Sequence, residues 1–246
     1  MNNWFEDDSF WEDMYGILFP DSRFESAGEE VKKITELADF SGTKVLDLCC
    51  GPGRHTYEFA KLGYEVTGVD RTRFLLEKAE KYCSSVSEKV EFIEEDMRYF
   101  KRGKEYDLAV NLFTSFGYFE AEEENLKVLK NMYNSLQEGG KVVLDMMGKE
   151  ILAKIYKETM STELEGKMVV QKHKICDDWQ KVKMEWILLE EAGRYKRYSL
   201  SHKLYSGREL KGLLKKAGFK EIKLYGNFAG NAYDVEADRL VAVAEK

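Results

Sequence analysis

Apolar positions along this chain recur with two different spacings, and the two spacings alternate. Short apolar runs with the length of buried strands lie near 44–48, 65–69, 90–94, 107–112 and 141–146. The stretches between them have helical spacing, most clearly at 122–136, where Leu126, Leu129 and Met132 fall on one stripe. Strands that alternate with helices predict an α/β fold with right-handed crossovers and a doubly wound, mostly parallel sheet.

The pattern changes after Gly148, where a short helical segment is followed by alternation of period two over 167–204. This alternation predicts a three-stranded antiparallel meander with turns at Asp177-Asp178 and Ala192-Gly193. Helical spacing returns at Ser206, where Ser206 and Glu209 form a capping box, and the helix should end at Gly218. Two further strands near 220–225 and 238–244 would complete a seven-stranded sheet.

These boundaries divide the chain into three parts. Residues 1–42 should form an N-terminal helical cap, with an amphipathic helix over 26–40 and an aromatic, acidic stretch before it. Residues 43–148 and 206–246 should form the core, and residues 149–205 an inserted helix and antiparallel β lid.

Composition narrows the class of protein. The 246 residues are 43% hydrophobic and 34% charged, with no apolar run long enough to span a bilayer and no basic, apolar leader at the N-terminus. The four cysteines have neither zinc-site spacing nor the density of a disulfide scaffold, which favours a cytoplasmic protein without a metal centre. A net charge of −7 without a basic block disfavours nucleic acid and favours a small-molecule ligand.

The strand at 44–48 runs directly into a Gly51-Pro52-Gly53 turn, with the carboxylate of Asp47 inside the strand. Glycines at this position let a ligand approach the backbone, and the next helix offers unpaired N–H groups. Asp70 ends the following strand, where an acid can accept hydrogen bonds from ribose hydroxyls. The alternative for Asp70 is a capping role at the helix near 72–83.

Two details separate the nucleotide ligands that would suit this turn. A dinucleotide fingerprint requires a third glycine, but Thr56 stands at that position. Asp47 would repel a pyrophosphate, whereas it would attract a ligand that carries ammonium and sulfonium groups. The sequence therefore favours S-adenosylmethionine over a nicotinamide dinucleotide.

The chain resembles the class I S-adenosylmethionine-dependent methyltransferases in four separated blocks. They are 45–53, 66–70, 90–97 and 106–113, in the order in which the family has them. The resemblance implies a Rossmann-like core whose last strand is antiparallel, and S-adenosyl-L-methionine as cofactor.

The resemblance also implies roles for individual residues. Asp47 would bind the amino group of the cofactor, Asp70 its ribose, and Asp96 the exocyclic amine of its adenine. The rest of the implied cofactor pocket consists of Cys49, Gly51, Gly53, Arg71, Met97, Asn111 and Leu112, with Tyr15 or Arg23 at the methionine carboxylate. Asp96 as a helix-capping acid and Asn111 as a turn residue are the alternatives.

Catalytic candidates are His202, as a general base on the predicted meander, and Tyr118, in the segment where family members contact acceptors. A buried core histidine and a pocket wall are the respective alternatives. The residues Asn111-Leu112-Phe113-Thr114 match neither the Pro-Pro-aromatic nor the Pro-Cys motif of nucleobase methyltransferases. We therefore expect methyl transfer to O or N of a small molecule by a monomer or homodimer. The alternatives are an NAD(P)-dependent oxidoreductase and a non-catalytic S-adenosylmethionine-binding module.

Overall fold

The chain begins with two helices that are joined at a proline. A computed structural model describes residues 3–164, 166–190 and 193–246. After a short 3-10 turn over Trp4–Glu6, helix α1 spans Asp8–Leu18 and helix α2 spans Asp21–Ala38. Asp7 caps α1 by accepting a hydrogen bond from the Ser9 N–H, so the predicted aromatic stripe is divided between the turn and α1. Helix α2 begins earlier than predicted because Pro20 provides a favourable start for the helix.

Strands and helices of the core then alternate as predicted. The strands are β1 (Lys44–Leu48), β2 (Glu65–Asp70), β3 (Val90–Glu94), β4 (Tyr106–Asn111) and β5 (Leu136–Met146). The helices between them are α3 (Arg54–Lys61), α4 (Arg73–Tyr82) and α5 (Glu122–Ser135). After an inserted region come α7 (Gly207–Ala217), β10 (Lys220–Tyr225) and β11 (Leu240–Glu245).

The core strands form one seven-stranded sheet in the order β10-β11-β5-β4-β1-β2-β3. Strands β1 to β5 are parallel, whereas β11 runs antiparallel to both β5 and β10. The α/β class and the antiparallel last strand are therefore confirmed. The carboxyl ends of β1, β2, β3 and β4 meet at one edge, which is where such sheets bind ligands.

Helices cover both faces of this sheet. Leu46 and Ala109 face one buried cluster, while Val45, Leu108 and Val110 face the other. Burial on both faces explains the continuous apolar runs in the sequence. The capping box of Ser206 and Glu209 is present, and Gly218 ends α7 with a φ of 114°.

The inserted region contains α6 (Lys149–Ile155) and an antiparallel sheet in the order β6-β7-β8-β9. Its strands are β6 (Thr159–Leu164), β7 (Lys167–Cys176), β8 (Lys181–Leu189) and β9 (Tyr195–Lys203). The prediction of three strands was wrong because β6 is an almost fully exposed edge strand without an apolar alternation.

The turn predicted at Asp177-Asp178 is confirmed, with positive φ at both residues. Of the second predicted turn, Ala192 lies outside the described residues, as do Met1 and Asn2 of the predicted cap.

One face of the smaller sheet packs against α1, where Val169, Leu188 and Leu200 contact Phe10 and Met14. The division into cap, core and lid stays a prediction. In the described parts of the chain, no helix combines the length and apolar character needed to cross a membrane.

Candidate active site

A cavity of about 250 Å³ lies between the two sheets. Its floor is the carboxyl edge of the large sheet, and its walls come from residues 4–23 and from the inner faces of β8 and β9. Most of the sequence-predicted site residues line it, namely Arg23, Asp47, Cys49, Gly51, Asp70, Arg71, Asp96, Met97, Leu112, Tyr118 and His202. The fold therefore collects at one place residues that are far apart in the sequence.

Asp47 is a buried carboxylate in β1, with only 2% of its surface exposed. Its Oδ2 accepts a hydrogen bond of 2.6 Å from the hydroxyl of Thr56. Burial raises the pKa of Asp47, although His55, Thr56 and Arg54 act in the opposite direction. Both nearby basic residues bind Glu30 instead, Arg54 at 2.7 Å and His55 at 2.8 Å. Asp47 is therefore suited to a ligand that brings its own positive charge.

The glycine turn is tied to β2 through Asp70. The two oxygens of this carboxylate accept hydrogen bonds of 2.9 Å from the N–H groups of Gly51 and Thr72. Burial raises the pKa of Asp70, and these two hydrogen bonds oppose that rise. The N-cap of α4 is Thr72, so Asp70 holds the residue that starts this helix but is not the cap that the alternative interpretation proposed. Each oxygen keeps a second lone pair that can accept from a ribose hydroxyl.

Asp96 follows β3 and forms an ion pair with Arg98, whose Nη2 lies 2.7 Å from Oδ2. Burial raises the pKa of Asp96, but the hydrogen bonds from Arg98 outweigh it and the net shift is downward. Asp96 Oδ1 also accepts a hydrogen bond of 2.8 Å from the Arg98 N–H, so the carboxylate caps a turn over 97–99. The helix that the alternative of a helix-capping acid requires does not follow Asp96 in the described residues. Beside it, the Sδ of buried Met97 lies 3.5 Å from Cys49 Sγ.

Three arginines surround the ring of Phe113, the residue after Leu112 at the end of β4. The guanidinium carbons lie 3.9 Å (Arg54), 4.5 Å (Arg239) and 5.2 Å (Arg23) from the ring centroid. Phe113 has a φ of 54°, and its N–H is held by Asp145 Oδ2 at 2.9 Å. A bulky residue in this left-handed conformation stores backbone strain, which the surrounding contacts must hold in place.

The arginines around Phe113 differ in their partners. Arg239 pairs with Asp145 and Arg54 with Glu30, whereas Arg23 has no carboxylate partner within the described residues. Burial lowers the pKa of Arg23, and repulsion from Arg54 and Arg239 lowers it further. The Nη2 of Arg54 is buried, and no described group accepts its hydrogen bonds. This end of the cavity therefore attracts a carboxylate.

Sequence reasoning missed Arg54 and Phe113. Arg54 directly follows Gly53, and its position on the first turn of α3 was a signal that could have identified it. The left-handed conformation of Phe113 leaves no such signal, because a phenylalanine at this position normally indicates a core or strand residue.

The two catalytic candidates lie beside one another, with ring centroids 5.5 Å apart. Burial raises the pKa of Tyr118 far above its usual value, so its hydroxyl stays protonated. Burial lowers the pKa of His202, so the ring is neutral near pH 7. His202 Nε2 lies 3.2 Å from the carbonyl oxygen of Thr114 and must donate to it. Only Nδ1 of His202 is therefore left to accept a proton.

Three predicted site residues lie outside the cavity lining that the described residues form. The Tyr15 ring packs against Phe19 and Phe74. A Cβ at Gly53 would come within 2.9 Å of the Ala79 Cβ, so this glycine lets the turn pack on α4. The Asn111 side chain donates to the Leu48 carbonyl oxygen at 3.0 Å and joins the ends of β4 and β1.

The charges of the cavity fit the amino-acid end of S-adenosylmethionine. An ammonium group suits Asp47, a carboxylate suits Arg23 and Arg54, and Coulomb interactions already link Asp47 to Arg54. Asp70 presents the free lone pairs that ribose hydroxyls require. A pyrophosphate would instead meet both buried carboxylates.

Comparison with known proteins agrees with this geometry. A family model described as "Methyltransferase domain" matches residues 39–218. A glycine/sarcosine N-methyltransferase from Halorhodospira halochloris is 28% identical over 243 residues, which cover 96% of this chain and 85% of that protein.

Two solved structures share the fold. The CcbJ methyltransferase from Streptomyces caelestis has a TM-score of 0.79 at 19% identity, and the match covers 89% of this chain and 94% of that one. An amino pentose methyltransferase from Micromonospora echinaspora, solved with S-adenosylmethionine bound, has a TM-score of 0.66 at 20% identity, with 90% and 91% covered.

These findings decide between the functional classes that the sequence left open. The family match excludes the nicotinamide oxidoreductase and the non-catalytic binding module, and the cofactor is S-adenosylmethionine. The chain belongs to the class I S-adenosylmethionine-dependent methyltransferases.

Proposed function

We propose that this enzyme transfers the methyl group of S-adenosylmethionine to an oxygen or nitrogen atom of a small molecule. The observation that carries the proposal is the cavity, which is charged at the sheet edge and aromatic on the opposite side. We call the aromatic side the acceptor chamber and define it by Trp4, Phe10, Trp11, Met184, Trp186 and Leu200, with His202 at its base. A chamber enclosed by apolar and aromatic walls suits an acceptor of small-molecule size.

The charged side of the cavity is proposed to hold the cofactor. Asp47 binds its ammonium group, and Arg23 and Arg54 bind its carboxylate. Asp70 binds the ribose, while Asp96 and the backbone of Met97 bind the adenine. Gly51, Cys49, Arg71 and Leu112 form the surrounding walls, and the backbone of Asn111 supports the methionine portion. Tyr15 and Gly53 act from behind this lining, through Phe19 and α4.

The main contribution of the protein to methyl transfer is to position the acceptor and to exclude water. The bound cofactor supplies a methyl group on a positively charged sulfonium. The leaving group is the neutral thioether, which needs no further activation. The acceptor atom must be held about 3–3.5 Å from the methyl carbon. Closure of the N-terminal segment excludes water, because Trp4 Nε1 donates to Ser201 O at 2.8 Å and Arg71 donates to Phe5 O at 2.7 Å.

Tyr118 and His202 are proposed to act on the acceptor. The protonated Tyr118 hydroxyl can orient it by a hydrogen bond, and Nδ1 of His202 can take the proton that the acceptor loses. Nitrogen acceptors receive support from two relatives whose names describe N-methylation, of glycine or sarcosine and of an amino sugar.

A screen for methyl incorporation tests the proposal. The protein is incubated with radiolabelled S-adenosylmethionine and pools of small hydroxyl and amino compounds, with DNA, RNA and protein as separate acceptors. We expect label in at least one small-molecule pool, together with S-adenosylhomocysteine. Label only in a macromolecule would contradict the proposal. An Asp47→Asn variant is the control for transfer that does not depend on the cavity.

The cellular setting is also proposed from the sequence. The cysteine content favours a cytoplasmic location, and a monomer or homodimer is the proposed oligomeric state. Size-exclusion chromatography with light scattering tests the second point, because a higher oligomer would contradict it.

A further inference from the structure

The charged lining of the cavity lies at its cofactor end. The lining residues with charged side chains are Arg23, Asp47, Arg54, Asp70, Arg71, Glu95 and Asp96. They come from α2, from the carboxyl ends of β1 and β2, from the first turn of α3, and from the loops that follow β2 and β3. In the part of the lining that the structure describes, the acceptor chamber contributes aromatic and aliphatic side chains and His202.

Among its described lining residues, the acceptor chamber thus has no fixed charge to offer a ligand. His202 is neutral near pH 7 because burial lowers its pKa, and its Nε2 already faces the Thr114 carbonyl oxygen. Asp13 on the adjoining α1 binds Lys196 at 2.7 Å and Tyr198, so its charge is compensated at the surface. A charged group in the chamber would lose its hydration without gaining a partner, so its binding would be disfavoured.

The walls of the chamber favour a flat ligand. Trp4 lies 5.9 Å from Trp11 and 5.5 Å edge-on from Phe10, and Phe10 lies 5.8 Å from Trp186, all as ring centroids. Rings at these angles present both faces and edges, which are the surfaces that pack against another aromatic ring.

Trp186 provides the chamber with a hydrogen-bond donor. Its Nε1 is buried, and within the described residues it has no hydrogen-bond partner. A buried donor without a partner is unfavourable, so a ligand atom that accepts this hydrogen bond would remove the penalty. An oxygen of the acceptor molecule can meet this need.

We infer that the acceptor is a neutral, planar aromatic molecule with an oxygen that accepts a hydrogen bond from Trp186 Nε1. The inference rests on the proposed function, because it assigns the charged end to the cofactor and the acceptor chamber to the acceptor. The inferred acceptor also differs from the acceptors of enzymes that methylate free amino acids. Arg23 and Arg54 serve the cofactor carboxylate, and the described residues that line the acceptor chamber include no cation for a second carboxylate.

Two probes of the same shape and different charge test the inference. Para-hydroxybenzamide is neutral and carries a carbonyl oxygen, whereas para-hydroxybenzoate carries a carboxylate at the same place. Each is titrated calorimetrically into the full chain saturated with S-adenosylhomocysteine. We expect saturable binding of the amide and binding of the benzoate that is weaker by about tenfold or more.

Single substitutions separate the Trp186 hydrogen bond from the surrounding packing. Trp186→Phe keeps an aromatic ring and removes the N–H, so the amide should bind about five to ten times more weakly. The affinity for S-adenosylhomocysteine should stay within about twofold, because Trp186 lies outside the charged end. The matched control is Trp179→Phe in the β7–β8 turn, where the indole is 39% exposed, and it should change neither affinity.

Three results would overturn the inference. They are binding of the benzoate as tight as that of the amide, absence of saturable amide binding at millimolar concentration, and unchanged amide binding in Trp186→Phe. S-adenosylhomocysteine is titrated first, so a failure of cofactor binding is recognised separately. Methylation of small molecules that are charged or aliphatic would leave the proposed function intact while contradicting this inference.

Discussion

At the scale of single residues, Asp47 and Arg54 place two opposite charges at the cofactor end of the cavity. One is an acid in β1 and the other a base on the first turn of α3, and both are more than nine-tenths buried. Buried charges destabilise a protein unless they are paired. Arg54 is paired with Glu30, whereas Asp47 has only the hydroxyl of Thr56 as its side-chain partner among the described residues. We interpret the unpaired acid as a site kept for the cofactor ammonium.

Asp47→Asn should weaken S-adenosylhomocysteine binding by about 1.5–3 kcal/mol, because a charge-assisted hydrogen bond is lost. Isothermal titration calorimetry measures this change. Asp107→Asn is the matched control, because Asp107 is likewise a strand acid that accepts hydrogen bonds, here from the N–H groups of Thr43 and Lys44, but lies at the opposite edge of the sheet. An affinity in Asp47→Asn equal to that of the control would contradict the assignment.

The pH dependence of stability provides a second test of Asp47. Its pKa in the folded protein is raised above the ordinary value of 3.8, chiefly by burial. The folded state therefore holds this proton to higher pH than the unfolded state. The resulting stability is fully present below pH 3.8 and is lost as the pH rises through the folded pKa.

In Asp47→Asn this loss should be absent, so without ligand the variant should gain stability relative to wild type as the pH rises above 3.8. Urea unfolding across this range measures the difference in free energy of unfolding. A difference that is constant with pH would show that Asp47 is not the titrating group.

Arg54→Lys should weaken binding of S-adenosylhomocysteine by about tenfold, because lysine keeps the charge for Glu30 but lacks the planar fork of donors. Binding of the decarboxylated analogue of S-adenosylhomocysteine should not change. Arg239→Lys is the control, since Arg239 also lies over Phe113 but is paired with Asp145. Equal weakening of both ligands would mean that Arg54 has a structural role only.

Asp47 and Asp70 were predictable from sequence because a strand, a glycine turn and a downstream acid form a local pattern. Arg23 was predicted from the resemblance to known methyltransferases. The positions of Arg54 and Phe113 in the site depend on how α2, α3 and the end of β4 pack together. No local sequence pattern indicates this packing. Tyr15 was predicted in the pocket, but its ring turns towards Phe74.

At the scale of elements, the segment after β4 joins the two sheets. Gly117 has a φ of 107°, and a Cβ there would lie 2.7 Å from His202 Cε1 and 2.8 Å from the Lys203 carbonyl oxygen. The N–H of Lys203 donates to the Gly117 carbonyl oxygen at 2.8 Å. The close approach of this segment to β9 therefore depends on the absence of a side chain.

Gly117→Ala should lower the free energy of unfolding by about 2–4 kcal/mol, because the left-handed conformation and the collision with β9 both cost energy. Gly139→Ala is matched in conformation, with a φ of 76° and no atom within 4 Å of the added Cβ. It should cost only about 1 kcal/mol. Chemical denaturation of both variants measures the difference, and equal losses would contradict the proposed close approach.

The elements of the core were predictable because strands buried on both faces are continuously apolar, and the capping box and Gly218 bound α7. Strand β6 was not predictable, because its exposed residues pair with β7 through the backbone alone. Edge strands of this kind carry little periodic signal.

At the scale of the whole molecule, the N-terminal segment connects both sheets over the cavity. Arg71 at the end of β2 donates to Phe5 O, and Trp4 donates to Ser201 O on β9. Tyr198 and Lys196 of β9 bind Asp13 of α1. The cofactor end is therefore built mainly from the core. The strands and helices of the core are recognisable in the sequence by their apolar spacing. The acceptor chamber is built from three distant segments, so its chemistry could be inferred only from the structure.

Equilibrium dialysis against radiolabelled S-adenosylmethionine tests the central claim, which is that the charged end of this cavity binds the cofactor. We predict saturable retention of one equivalent per chain by the wild-type protein and a loss of about tenfold or more in affinity in Asp47→Asn. No retention by the wild-type protein at millimolar cofactor, or identical retention by the two proteins, would contradict the account.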